Sequence, residues 1–123
     1  MELETMKQAV VSALEDIKAR DIIVLDVSKL TSMTDCMIIA SADSNRQTRA
    51  LADNVQKKLK ALGAHVLGVE GEETGEWVLV DLGAVVVHIM QPAIRDYYNL
   101  EQLWGGQAPV SNRPKFAQAS THS

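Results

Sequence analysis

A chain of 123 residues that is 46% hydrophobic and 23% charged builds one domain with one core, and its composition excludes disordered and fibrous classes. Aromatics make up only 4%, so the fold must rest on aliphatic packing. A net charge of −4 and an isoelectric point of 5.3 argue against the basic surface that phosphate-dominated nucleic-acid binding needs, so a partner near RNA is expected to be a basic protein.

From Leu3 to Arg20 apolar residues recur at Leu3, Met6, Val10, Leu14 and Ile17, the three-and-four spacing of an amphipathic helix with one buried stripe. No basic region followed by an apolar run precedes it, and no run approaches the length of a membrane span, so a cytoplasmic protein is expected. Ile22 to Val27 and Asp35 to Ala42 are apolar, β-branched runs without helical period, separated by a Ser/Thr-rich stretch. Both are expected as strands buried on both faces or nearly so. Cys36 is alone, so no intrachain disulfide can form, and its apolar setting reads as a buried small hydrophobe.

Ser44 opens the next helix, with Gln47 three residues on to complete a capping box and Asp43 placed against the dipole. Leu51, Val55, Leu59 and Leu62 form its apolar stripe, Lys57, Lys58 and Lys60 charge its last turns, and Gly63 takes the C′ position. His65 to Val69 reads as a short strand leading into an acidic turn from Glu70 to Gly75. Two further strands, Glu76 to Leu82 and Val85 to Met90, flank Gly83 and Ala84, a two-residue turn with Gly at the first central position. On that register Leu82 pairs with Val85, Val80 with Val87 and Val78 with Ile89, a wholly aliphatic face that belongs to the core. The opposite face pairs Asp81 with Val86, Leu79 with His88 and Trp77 with Met90.

Pro92 suits the first turn of a helix through Ile94, Tyr97 and Tyr98, with Leu100, Leu103 and Trp104 continuing it or packing back. Residues 105–123 have almost no aliphatic pattern and are expected as a mobile tail, leaving residues 1–104 as the domain. The order of elements implies an α/β (α+β) fold, a single mixed β-sheet of about five strands flanked by helices. If the two long helices share one face, the last helix covers the other only in part, and the Trp77 face is left available to a partner.

Four constellations are candidates for function. Asp26, Asp35 and Asp81 lie at or near strand ends, where carboxylates could converge on Mg²⁺ for nucleotidyl transfer. No Gly-rich loop precedes them to cradle a phosphate, which favours turn-capping roles instead. His65 and His88 have no acid or thiol at ligand spacing, and neither a metal nor another cofactor is expected. The cluster Glu70, Glu72, Glu73 and Glu76 reads either as a solvated hairpin tip or as an acidic rim that meets a basic protein. Trp77 and Tyr98 are scarce large aromatics of the kind enriched among interface hot spots, and periodicity alone leaves them open between core and interface.

Asp35 to Ser41, Ser44-x-x-Gln47, Glu70-Gly71, Trp77, Asp81, Gly83, His88, Arg95, Tyr98 and Leu100-Glu101-x-Leu103-Trp104 occur together in order. As a set they give the chain a resemblance to the ribosomal silencing factor family, also called the Iojap or YbeB family, over about Leu3 to Trp104. The resemblance implies a nucleotidyltransferase-like core without a working catalytic motif, hence no enzyme activity. It implies binding to the large ribosomal subunit through ribosomal protein L14, obstruction of small-subunit joining, and repression of translation when nutrients fail. Members of the family resemble homodimers, and a homodimer through the same face is an expectation here. Trp77 and Tyr98 match family positions associated with docking, while Leu82 stands where the family often has an aromatic. The expected partner-binding set is Trp77, Leu79, Leu82, Met90, Pro92 and Tyr98.

Overall fold

Eight elements follow one another through residues 1–99, the part of the chain that the computed structural model describes. They are α1 (Leu3–Asp16), β1 (Arg20–Asp26), β2 (Cys36–Ser41), α2 (Asn45–Ala61), β3 (Gly68–Glu70), β4 (Trp77–Asp81), β5 (Val85–Met90) and α3 (Pro92–Tyr98). The continuation of the last helix through Leu100, Leu103 and Trp104, and the tail 105–123, lie outside the described residues. The strands form one mixed sheet in the order β1-β2-β5-β4-β3, with β2 and β5 parallel and every other neighbouring pair antiparallel. The expected single mixed sheet flanked by helices is the fold observed.

Both long helices lie on one face of that sheet. Val10, Ala13 and Leu14 of α1 and Leu51, Ala52, Val55 and Leu59 of α2 share a buried cluster with Ile38, Ala40, Val78, Val80, Val87 and Ile89. The hairpin register is the one the alternation implies, with Val78 against Ile89 and Val80 against Val87 on this face. Leu82 donates its N–H to the Val85 carbonyl at 2.9 Å, and Gly83 takes φ +85° in the turn. The second face carries a smaller cluster of Val27, Met37, Ile39 and Met90, with Leu25, Trp77 and Ile94 packed against it. Ile94 belongs to α3, the helix that covers part of this face.

The two long helices end in the same way. The N–H of Gly63 reaches Lys60 O and that of Ala64 reaches Leu59 O, the paired bonds of a Schellman motif, with Gly63 at φ +93°. At the end of α1 the same two bonds run from Lys18 to Glu15 O and from Ala19 to Leu14 O, with Lys18 at φ +60°. The helix therefore stops at Asp16 rather than Arg20, because a left-handed lysine turns the chain where no glycine signals it. Ser44 caps α2 by accepting the Gln47 N–H at 3.0 Å, but the Gln47 side chain reaches one residue further back than a capping box does, accepting the Asp43 N–H at 2.7 Å. Its amide also donates to the carbonyls of Ile17 and Lys18, which fastens the end of α1 to the start of α2.

Two strands differ from expectation. β1 is an edge strand whose Val24 is 42% exposed, so it is not buried on both faces; an outer position leaves it neighbours on one side only. β3 begins at Gly68 and not His65, and pairs as a three-residue edge with β4. β2, by contrast, is central and buried along its whole length. Among the described residues no helix is long and apolar enough to cross a membrane.

Candidate functional site

The sheet's pleat decides which candidate side chains can meet. Asp26 is paired with Cys36, and Cys36 with Val85, which puts Asp26 on the helix-covered face. Asp81 is paired with Val86 on the opposite face, so the carboxylates reach the same end of the sheet without converging. Each has local work. Asp26 accepts from the N–H and hydroxyl of Ser28 at 2.9 and 2.6 Å, bonds that hold its carboxyl below the usual range, and Asp81 accepts the Gly83 N–H at 2.9 Å. Asp35 donates its N–H to the Ala84 carbonyl at 2.9 Å. Among the described residues no three His, Cys, Asp or Glu side chains are placed to hold a metal. Burial pushes the Cys36 thiol up, which makes it a poor nucleophile.

The second face brings together a different set. Trp77, at the start of β4, packs its indole on the ring of Tyr98 with centroids 4.8 Å apart and a 48° tilt. Tyr97 meets Tyr98 edge-on at 5.0 Å, and the two tyrosines are 51% and 40% exposed. On its other side Trp77 donates its Nε1–H to Nδ1 of His88 at 2.9 Å. Trp77 and Leu79 then line a shallow groove of about 240 Å³ with Glu70 and Gly71.

The acidic turn beside this groove is fastened down. Arg49 of α2 donates through Nε to the Glu72 carbonyl and through Nη2 to the Glu73 carbonyl, both at 2.8 Å. Gln91 donates its side-chain amide to the Gly75 carbonyl at 3.1 Å and its backbone N–H to the Glu76 carbonyl at 3.0 Å. Gly71 sits at φ +90° with its α-carbon so near β4 that a Cβ would stand 2.0 Å from the Trp77 carbonyl oxygen. The turn is thus locked to both α2 and the strand that carries the tryptophan, and its carboxylates stand on an ordered frame. Glu70, Glu72, Glu73 and Glu76 are all exposed.

The six candidate partner-binding residues therefore separate into three groups. Trp77, Leu79 and Tyr98 come together as one partly exposed aromatic and aliphatic surface. Pro92 is exposed but lines a different pocket, of about 430 Å³, with Arg20, Asp21, Ile23, Ser41, Arg95 and Asp96. Leu82 and Met90 are corrections: Leu82 is 5% exposed inside the main core, and Met90 is fully buried in the smaller cluster with Val27, Met37 and Ile39. A buried side chain offers a partner no surface.

Two residues that support the site were outside the candidate set. His88 is diagonal to Trp77 in the hairpin register, two positions from its direct partner Leu79, and diagonal neighbours are within reach of aromatic rings. Arg95, 4% exposed, donates through Nη1 to the Asp21 carbonyl and to the Ser41 hydroxyl, both at 2.7 Å. These bonds pin α3, and with it Tyr98, to β1 and β2.

The family described as "Ribosomal silencing factor during starvation" matches residues 1–123. A protein of Chromobacterium violaceum named ribosomal silencing factor RsfS is 60% identical over 109 residues, which are 89% of this chain and 89% of that protein. A crystal structure of a protein from the same organism superposes with a TM-score of 0.85 at 59% identity, over 89% of this chain and 92% of the other. A mouse protein named "Mitochondrial assembly of ribosomal large subunit protein 1" is 36% identical over 97 residues, 76% of this chain and 42% of the mouse protein.

Proposed function

The chain belongs to the ribosomal silencing factor family, and on that premise we propose that it docks on the large ribosomal subunit through ribosomal protein L14 and blocks joining of the small subunit when nutrients fail. The observation that carries the reading is the Trp77–Tyr98 pair, a partly exposed aromatic surface flanked by an acidic turn on a fixed frame. Aromatic anchors of this kind dominate interface energetics, and rim charges steer encounter with a partner of opposite sign. Four glutamates in and beside one ordered turn select a basic protein surface over naked phosphate.

Silencing on this account is steric. No bond is made or broken; occupying the surface where the subunits join is sufficient, and an interface of roughly 800 Å² per partner holds such a complex. A homodimer through the same aromatic surface would compete with ribosome docking, so excess large subunit should draw the protein toward monomer.

Tyr98→Glu tests the docking face, because the side chain is 40% exposed and a carboxylate there has access to water. Co-sedimentation with purified large subunits should weaken by roughly thirtyfold, the loss of a hot spot of about 2 kcal/mol. Undiminished binding by a folded Tyr98→Glu protein would sink the proposed face.

A further inference from the structure

His88 projects from β5 onto the second face of the sheet and is 7% exposed. A buried imidazole needs a reason to be there, since burial favours an aliphatic residue at the same position. The reason is the tryptophan: Nδ1 of His88 accepts the Trp77 Nε1–H at 2.9 Å, with ring centroids 5.8 Å apart and the planes tilted by 46°. To accept there Nδ1 must be unprotonated, so the neutral ring carries its proton on Nε2. Burial supports that state by holding the imidazole down at about 4. With His88 gripping the polar edge and Tyr98 against the ring at 4.8 Å, the indole is fixed from two sides.

We propose that His88 is a positioning residue for docking: it orients the Trp77 indole and takes up its only hydrogen-bond donor, so the partner meets an apolar ring surface there. The inference rests on the docking reading and extends it to the chemistry of the partner. An indole whose N–H is already engaged gains nothing from a polar acceptor on the partner. The partner contributes aliphatic or proline side chains over the ring, and its basic groups fall beside Glu70 and Glu72.

The test is a double-mutant cycle on binding to purified large subunits, using His88→Leu and Trp77→Phe, with His88→Asn as the conservative variant. His88→Leu should weaken binding about tenfold while Trp77 is present, because the indole N–H is left facing a hydrocarbon and the ring turns away. In the Trp77→Phe background the same change should cost no more than about twofold, since no N–H remains to be held. His88→Asn, whose side-chain oxygen stands near the place of Nδ1, should restore binding to within about threefold of the native protein. Equal losses in both backgrounds, or an Asn variant as poor as Leu, would assign His88 to packing alone and overturn the inference.

A second readout needs no variant and no ribosome. In the native protein at neutral pH the nitrogen-15 spectrum should give His88 as the neutral Nε2–H tautomer, and the Trp77 indole proton should resist exchange. A rapidly exchanging indole proton or the other tautomer would refute the positioning bond. Failure of the native protein to bind large subunits, with these spectra as expected, would instead refute the docking reading while leaving the His88–Trp77 contact standing.

Discussion

Replacing Arg95 by methionine should separate α3 from the sheet, and the size of the effect follows from its contacts. The guanidinium is 4% exposed and donates through Nη1 to the Asp21 carbonyl and the Ser41 hydroxyl at 2.7 Å each. Asp21 lies in the β1 bulge at φ +50°, so one arm of this clamp also holds a strained turn. Hydrogen bonds from a charged donor contribute about 1.5–3 kcal/mol each, so two amount to about 3–6 kcal/mol. Removing the guanidinium also removes the cost of burying it, which offsets part of that and leaves a net loss of about 2–4 kcal/mol. For a domain of this size the midpoint of thermal unfolding should fall by about 10–25 °C. Circular dichroism on Arg95→Met, Ser41→Ala and the double variant measures this directly. Because the Ser41 hydroxyl serves Arg95, the double variant should be scarcely less stable than Arg95→Met. A loss below about 1 kcal/mol, or fully additive losses, would refute the clamp.

Acid should weaken the fold through His88. Its folded value of about 4 lies below the ordinary 6.5, so between those limits the unfolded chain binds more protons and stability falls as pH falls. About 3 kcal/mol should be lost from pH 7 to pH 4 beyond the loss in His88→Asn, as followed by urea unfolding; parallel pH profiles for the two proteins would contradict it. Gly71→Ala must put a Cβ 2.0 Å from the Trp77 carbonyl oxygen at φ +90°, so a stability loss of at least about 2 kcal/mol is expected, and a neutral change would show that the turn is not locked to β4. Arg49→Ala should raise amide exchange in the turn from Glu72 to Thr74 by about tenfold without altering the interior of α2, and unchanged exchange would mean that Arg49 does not order the turn.

Much of this architecture is readable from local chemistry. The hairpin register follows from Gly83 and strict aliphatic alternation, because a slip of one residue would turn either Val78 and Val80 or Val87 and Ile89 away from the core. The ends of α2 follow from Ser44 and Gly63. The end of α1 does not, since Lys18 takes a left-handed conformation that lysine does not advertise. Nor does the exposure of β1, whose apolar run differs little from that of a central strand; its place at the edge is set by which strands pair, a long-range outcome.

The site divides along the same line. Trp77 and Leu79 are legible as large side chains on the less aliphatic face and Tyr98 as an aromatic of the last helix, and the structure joins them. Met90 shares that face by parity, but Val27, Met37 and Ile39 arrive from elsewhere in the chain to bury it, and strand alternation cannot count such neighbours. Leu82 belongs to the core face by the hairpin register itself; only the family pattern drew it into the partner-binding set. The clamp made by Arg95 carries little sequence signal, because two of the groups it donates to are a backbone carbonyl and a serine hydroxyl.

Occupancy of the large subunit by this chain should by itself prevent the small subunit from joining. Purified large subunits should be saturated with the protein, mixed with small subunits, and resolved by gradient sedimentation. The joined ribosome peak should fall in proportion to occupancy, the protein should travel with the large subunit, and the Tyr98→Glu protein at the same concentration should leave joining largely intact. A full joined peak at saturating occupancy of the large subunit would contradict steric silencing.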